Sequence, residues 1–202
     1  MTGSRTFIAA AAAALLLAGC FSTFTLTDSG YRTRGRTLAV VAGLDNEASL
    51  KVAKGMTEAF RKNTRFQVLS QAQVAQAVPG YPQKIKGPYT YAYFQIEADY
   101  GNTDRRKVRE LQQRIGADYL YVVWVPTATV TQGTIHQLHI IAQMFEGPEA
   151  KAVGEGMFNA TAGRVGGCCL VPAPTDQDKG DAVKDSADYV AREIGEKMGM
   201  LK

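Results

Sequence analysis

The chain has 202 residues, 46% of them hydrophobic and 21% charged, with 20 glycines and 7 prolines. These are the proportions of one compact globular domain, and they exclude a collagen-like, coiled-coil or disordered chain. The formal charge of +4 is too small and too dispersed for a nucleic-acid-binding face, which needs a clustered basic surface.

The first element is an address. Arg5 supplies a short positive stretch, and residues 7–17 are an unbroken apolar run. Such a run falls short of the roughly 20 residues that span a bilayer as a permanent helix, and it suits a secretory leader. Next come Leu17, Ala18 and Gly19 before Cys20, in the form of a bacterial lipobox. Small residues before the cysteine let signal peptidase II reach the backbone, and the Cys20 thiol accepts the lipid. The reading is residues 1–19 as a removed signal peptide and residues 20–36 as a lipidated tether. The folded domain then spans residues 37–202. Phe21 stands where an Asp would signal inner-membrane retention, so the anchor is expected in the outer membrane, with the domain facing the periplasm or the cell surface. Fully extended, the tether reaches roughly 55 Å. Its alternation of Phe24 and Leu26 with Thr23, Thr25 and Thr27 also fits an edge strand.

Residues 37–42 form a continuous apolar run ended by Gly43, the pattern of a strand buried on both faces. A helix capped by Asp45 or Asn46 follows, with Leu50, Ala53, Met56 and Phe60 on one stripe and Arg61, Lys62 and Asn63 at its end. Residues 66–69 read as a second strand, and Ser70 caps a short helix through Ala77. Thr103 is the expected cap of another helix, in which Val108, Leu111 and Ile115 share a face before Gly116 stops it. Residues 119–125 are the strongest strand signal, expected to end at Pro126. Residues 135–145 and 152–160 read as an antiparallel pair around Gly147 and Pro148, residues 163–174 as loop, and residues 182–198 as the last helix. The sum is an α/β chain: a single two-layer domain with a βαβ start, then an antiparallel meander in a mixed sheet, with three main helices.

Between these elements, residues 78–102 carry Tyr81, Tyr89, Tyr91, Tyr93, Phe94 and Tyr100. A connection of this length usually has a function of its own. Tyr89, Tyr91 and Tyr93 alternate, so an extended chain puts them on one face, open to a partner or packed on the protein's own sheet. Tyrosines make large, rigid, amphipathic contacts, and Tyr89, Tyr91, Tyr93 and Phe94 are the candidate partner-binding residues.

Other chemistry is sparse. Cys168 and Cys169 are adjacent, and three states stay open for them: two buried thiols, a strained vicinal disulfide, or intermolecular pairing or metal capture. His136 and His139, three apart on a strand, are expected on opposite faces and so cannot chelate one metal; no metal and no cofactor is expected. The chain contains no nucleophile elbow, phosphate loop or zinc-protease motif. Glu97 and Asp99 could in principle serve as paired acids, although acids beside tyrosines in a loop are more often solvated. Arg105, Arg106 and Lys107, and likewise Arg32, Arg34 and Arg36, fit either a solvated face or contact with anionic headgroups.

The opening strand Leu38-Ala39-Val40-Val41, the helix leading to Phe66-Gln67-Val68-Leu69-Ser70, and above all Gly116-Ala117-Asp118-Tyr119-Leu120-Tyr121-Val122-Val123 carry a resemblance. Their order is similar to a group of bacterial envelope domains: the TolB N-terminal domain, the curli secretion lipoprotein, and the lipoprotein activators of penicillin-binding proteins. Three departures are Ser70, where that group usually has Arg, the tyrosine-rich segment from Tyr81 to Tyr100, and the Cys168-Cys169 loop. The resemblance bears on fold more than on function; with the lipobox, the tether and the tyrosine segment, the reading is a non-enzymatic, membrane-anchored accessory or assembly factor that binds another envelope protein, with homo-oligomers as a related outcome. A small-molecule or glycan-binding, or hydrolytic, surface lipoprotein is the alternative.

Overall fold

A computed structural model describes residues 24–92, 95–131, 134–161, 164–166 and 181–202. The signal peptide and lipobox, with Leu17, Ala18, Gly19 and Cys20, lie outside the described residues, as do Tyr93, Phe94, Cys168 and Cys169. In chain order the elements are β1 (Thr25–Leu26), β2 (Thr37–Ala42), α1 (Glu47–Asn63), β3 (Gln67–Val68), α2 (Gln71–Ala77), β4 (Tyr89–Ala92) and β5 (Gln95–Ala98). After a single 3-10 turn at Tyr100–Asn102 come α3 (Arg105–Ile115), β6 (Tyr119–Thr131), β7 (Thr134–Glu146), β8 (Lys151–Thr161), β9 (Arg164–Gly166) and α4 (Ala182–Lys197). The main sheet runs β1-β8-β7-β6-β2-β3, with β9 also on β8, while β4 and β5 form a small sheet of their own. β3, β2 and β6 are parallel, and every pairing from β6 through β7 to β8 is antiparallel. This is the α/β class and the mixed sheet expected from the sequence.

Local chemistry sets the element ends. The Asn46 side chain accepts the Ser49 N–H at 2.7 Å and opens α1. Ser70 and Gln73 make a reciprocal capping box on α2. On α3 the cap is Asp104, which accepts from the Lys107 N–H at 3.1 Å, rather than Thr103. Thr103 is buried and donates to Gln143 Oε1 at 2.5 Å, so its hydroxyl is already engaged in the interior. Gly116 ends the helix at φ 69°, a conformation glycine adopts without a Cβ penalty.

Each face of β2 and β6 carries its own core. Leu38, Val40 and Tyr121 face α1 and α4, against Met56, Phe60, Val190 and Ile194. Ala39, Val41, Val122 and Trp124 face the other way, against Val74, Ile85, Val108 and Leu111. The opening strand is therefore buried on both sides, as its unbroken apolar run requires.

Pro126 does not end β6. Val125 and Pro126 together oppose Ile140, between the pairs Trp124↔Ile141 and Thr127↔His139, so the proline occupies a bulge. It lacks an N–H, and a bulge needs none from it, so the strand continues to Thr131. A second irregularity falls at His136, between the pairs Thr129↔Gln137 and Val130↔Ile135. Ile135 and Leu138 consequently reach the same core, and strict alternation does not govern His136 and His139. Part of the expected loop after β8 is strand, since β9 pairs with β8.

The largest departure is at the start of the described chain. Residues 24–36 do not hang free as a tether; they form a strap across the sheet. Phe24 is 1% exposed and packs edge-on against Tyr121 at 6.4 Å. A Cβ on Gly154 would lie 2.0 Å from the Phe24 ring, so this close approach needs glycine. Thr25 and Leu26 pair with Glu155 and Gly154, and the Thr27 N–H donates to the Val153 carbonyl at 3.0 Å. Farther on, the Tyr31 and Tyr119 hydroxyls hydrogen-bond at 2.8 Å, and Thr33 Oγ1 donates to the Met198 carbonyl at 2.6 Å. The Arg36 and Thr37 N–H groups both donate to Asp118 Oδ2 at 2.8 Å. The edge-strand expectation holds over Thr25–Leu26, just after Phe24, and the 55 Å reach does not hold.

Candidate functional site

The aromatic segment is fixed from its root upward. The Ala42 N–H donates to the Tyr81 hydroxyl at 2.9 Å, and that hydroxyl donates to Gln71 Oε1 at 3.0 Å. Burial raises the Tyr81 pKa, and the residue ties β2 to α2 rather than facing a partner. The Ile85 N–H donates to the Gly43 carbonyl at 2.9 Å, and Trp124 Nε1 donates to the Ile85 carbonyl at 3.1 Å. At Gly87 a Cβ would sit 2.5 Å from the Tyr89 ring and 2.8 Å from the Trp124 ring, so the chain passes between two aromatics.

Above this root the chain forms the β4–β5 hairpin, with Tyr89 opposite Ala98 and Tyr91 opposite Ile96. The Asp99 N–H closes its neck on the Pro88 carbonyl at 2.8 Å, and Asn102 Nδ2 donates to the Tyr89 carbonyl at 3.2 Å. Tyr89 and Tyr91 share a face, as their spacing predicts, and meet edge-to-face at 5.8 Å and 89°. They differ in what they cover. Tyr89 is half-buried against the second core, which raises its pKa, whereas Tyr91 is 68% exposed. Of the two described tyrosines on that face, Tyr89 packs on the protein itself and Tyr91 is exposed.

A polar shelf adjoins the hairpin. Gln143 is buried in β7, accepts from Thr103, and donates to the Tyr100 carbonyl at 3.3 Å. Burial raises the Glu155 carboxyl pKa, opposed by its hydrogen bond with Gln143 and by the Arg105 charge. Arg105 lies over the Phe145 ring at 5.3 Å. Sequence reading missed Glu155; its signal was a lone charge inside the glycine-rich apolar strand around it. Glu97 and Asp99, the acids singled out from the sequence, are both exposed on the hairpin. Among the described residues the groups acting on Glu155 are the Gln143 amide and the Arg105 guanidinium, not a second carboxylate of the kind that glycoside hydrolysis uses.

His139 Nδ1 pairs with Asn159 Oδ1, while its Nε2 is buried with no hydrogen-bond partner among the described residues. Burial lowers the His139 pKa and favours the neutral ring. Among the described residues no cluster of three or more His, Cys, Asp or Glu could hold a metal ion. Two members of the basic run on α3 are engaged: Arg105 over Phe145, and Lys107, whose Nζ donates to the Lys84 carbonyl at 2.6 Å. Among the described residues no helix is long and apolar enough to cross a membrane.

The chain matches no protein-family model and no curated protein. Similar solved structures include a PelC dodecamer from Paraburkholderia phytofirmans, 11% identical over 87% of this chain and 96% of that one, with a TM-score of 0.42. TolB from Acinetobacter baumannii is 11% identical over 87% of this chain and 31% of that one, with a TM-score of 0.38. Lipoprotein GNA1162 from Neisseria meningitidis is 12% identical over 78% and 97%, also at 0.38.

Proposed function

We propose that this chain is a lipid-anchored protein of the bacterial cell envelope that binds another envelope protein and does no chemistry itself. Residues 1–19 are removed, Cys20 carries the lipid, and the domain stands on the periplasmic side of the outer membrane. The positive stretch, apolar run and lipobox support the anchor. The carrying observation for the binding role is Tyr91, 68% exposed on a hairpin whose root is locked by Trp124, Gly87 and Asn102. A large aromatic held out on an ordered strand loses little entropy on docking, which is what an interface anchor requires.

The test is a mild crosslink in intact cells, followed by purification of tagged protein from detergent-solubilised membranes. Wild type, Cys20→Ala and Tyr91→Ala are compared. The expected result is one stoichiometric envelope protein with wild type, much reduced with either variant. Recovery of the chain alone as a monomer in all three counts against the reading, and recovery of crosslinked copies of the chain itself replaces it with a homo-oligomer.

A further inference from the structure

The strap has two sides. Along residues 31–36, Tyr31, Thr33 and Gly35 turn inward, while Arg32, Arg34 and Arg36 are exposed. The inward set is fixed by the Tyr31–Tyr119 hydroxyl pair at 2.8 Å, the Thr33 bond to the Met198 carbonyl at 2.6 Å, and the Gly35 N–H donating to the Tyr119 hydroxyl at 3.2 Å. A period of two in an extended segment therefore leaves three arginines on the exposed side of the strap. None of the three forms an ion pair among the described residues. Asp28 and Glu146 line one surface cavity with Arg32, Arg34 and Lys151, yet neither acid is within ion-pair distance of the arginines; Asp28 accepts from the Gly30 N–H at 2.8 Å, Glu146 from the Tyr119 hydroxyl at 3.3 Å, and Asp118 from the Arg36 N–H at 2.8 Å. Beside them, Arg36 and Arg65 line a surface cavity of about 360 Å³ with Gln67, Gly199 and Met200.

We propose that this arginine comb is a docking surface for the phosphate-bearing headgroups of an anionic bilayer. The inference rests on the membrane-anchored reading above and gives the anchored domain an orientation. Phe24 is buried, and only four residue steps separate it from Cys20, so covalent geometry limits the link to about 14 Å. With so short a link the domain lies against the bilayer, and the strap is the part of the fold nearest the anchor along the chain. Unpaired guanidinium groups suit phosphate, which they bind in a bidentate fashion. Each basic residue held near an anionic surface adds to the affinity, and salt within a Debye length screens it.

The experiment uses residues 20–202 with Cys20→Ser, which retains every described residue and carries no lipid. Sedimentation with vesicles of phosphatidylcholine is compared with vesicles containing about a third phosphatidylglycerol. The expected result is binding to the anionic vesicles alone, lost on the order of a hundredfold in Arg32→Gln/Arg34→Gln/Arg36→Gln. Arg106→Gln/Arg109→Gln/Arg114→Gln removes the same charge from α3 and is expected to keep its binding. Equal loss in both triple variants reduces the effect to net charge and overturns the proposal, as does binding that ignores phosphatidylglycerol. The mass of the mature N-terminus in cells tests the anchor separately: an unlipidated Cys20 defeats the anchored reading, whereas failed vesicle binding with a lipidated Cys20 defeats only the comb.

Discussion

The strap over residues 24–36 and the tyrosine hairpin of β4 and β5 are both extended segments with alternating side chains, and the fold treats them differently. Every second residue of the strap's later part is bound to the ends of the main sheet and of α4, so the segment is part of the domain. Among the described residues the hairpin meets the core at its root, through Tyr89, whereas Tyr91 beyond it is exposed and not packed on the core. The difference shows that alternation fixes which side chains share a face, while burial depends on whether a complementary surface lies opposite. For the strap that surface is a notch at Gly154 and the Tyr119 hydroxyl; for the outer hairpin no such surface is present among the described residues.

Replacing strap residues tests how firmly that segment is docked. Phe24→Ala removes a fully buried ring over Gly154 and is expected to cost about 3 to 4 kcal/mol in denaturant unfolding. A cost under about 1 kcal/mol would mean the strap is a loose tether after all. On the hairpin, Tyr89→Ala is expected to cost about 2 kcal/mol, because the ring is only half-buried. A Tyr89→Ala variant as stable as wild type would erase the distinction between root and tip.

Asp118→Asn probes the far end of the strap and is expected to cost about 1 kcal/mol near neutral pH, since this exposed carboxylate is screened by solvent. The Thr37 N–H first, with the Arg36 N–H and the Thr37 hydroxyl, holds the Asp118 carboxyl below its ordinary 3.8 despite an opposing effect of burial. A depressed folded pKa means the contribution is full above the unfolded value and fades as pH falls through the lower folded value. Unfolding curves of wild type and variant should therefore converge in acid, and a gap independent of pH would argue against the carboxylate. The smallest effect on stability is expected for Tyr91→Ala, within about 0.5 kcal/mol of wild type in thermal unfolding. A larger loss would place Tyr91 in the fold rather than in an interface.

Much of this architecture could be read from the sequence. The apolar run from Leu38 to Ala42, the Asn46 and Ser70 caps and the Gly116 stop are local signals, and each stands where its chemistry places it. What the sequence hid was non-local. Pro126 ends a strand by local rules, yet an extra residue opposite Ile140 absorbs it. Thr103 is a good cap by type, but Gln143, forty positions away, takes its hydroxyl. Phe24 reads as half of an edge strand, and only Gly154 across the sheet shows that its ring is core. In the site, the spacing of Tyr89 and Tyr91 gave their shared face, while the division between buried root and exposed tip needed Trp124 and Gly87.

An outer hairpin that faces the partner is tested most directly by site-specific photocrosslinking in intact cells. A photoreactive residue is placed at Tyr91, and for comparison at Val130 and Tyr189, the other exposed large apolar positions among the described residues. A discrete crosslink to another envelope protein from position 91, absent from 189, is the predicted result. Crosslinks from 130 or 189 with none from 91 would contradict it and move the interface off the hairpin.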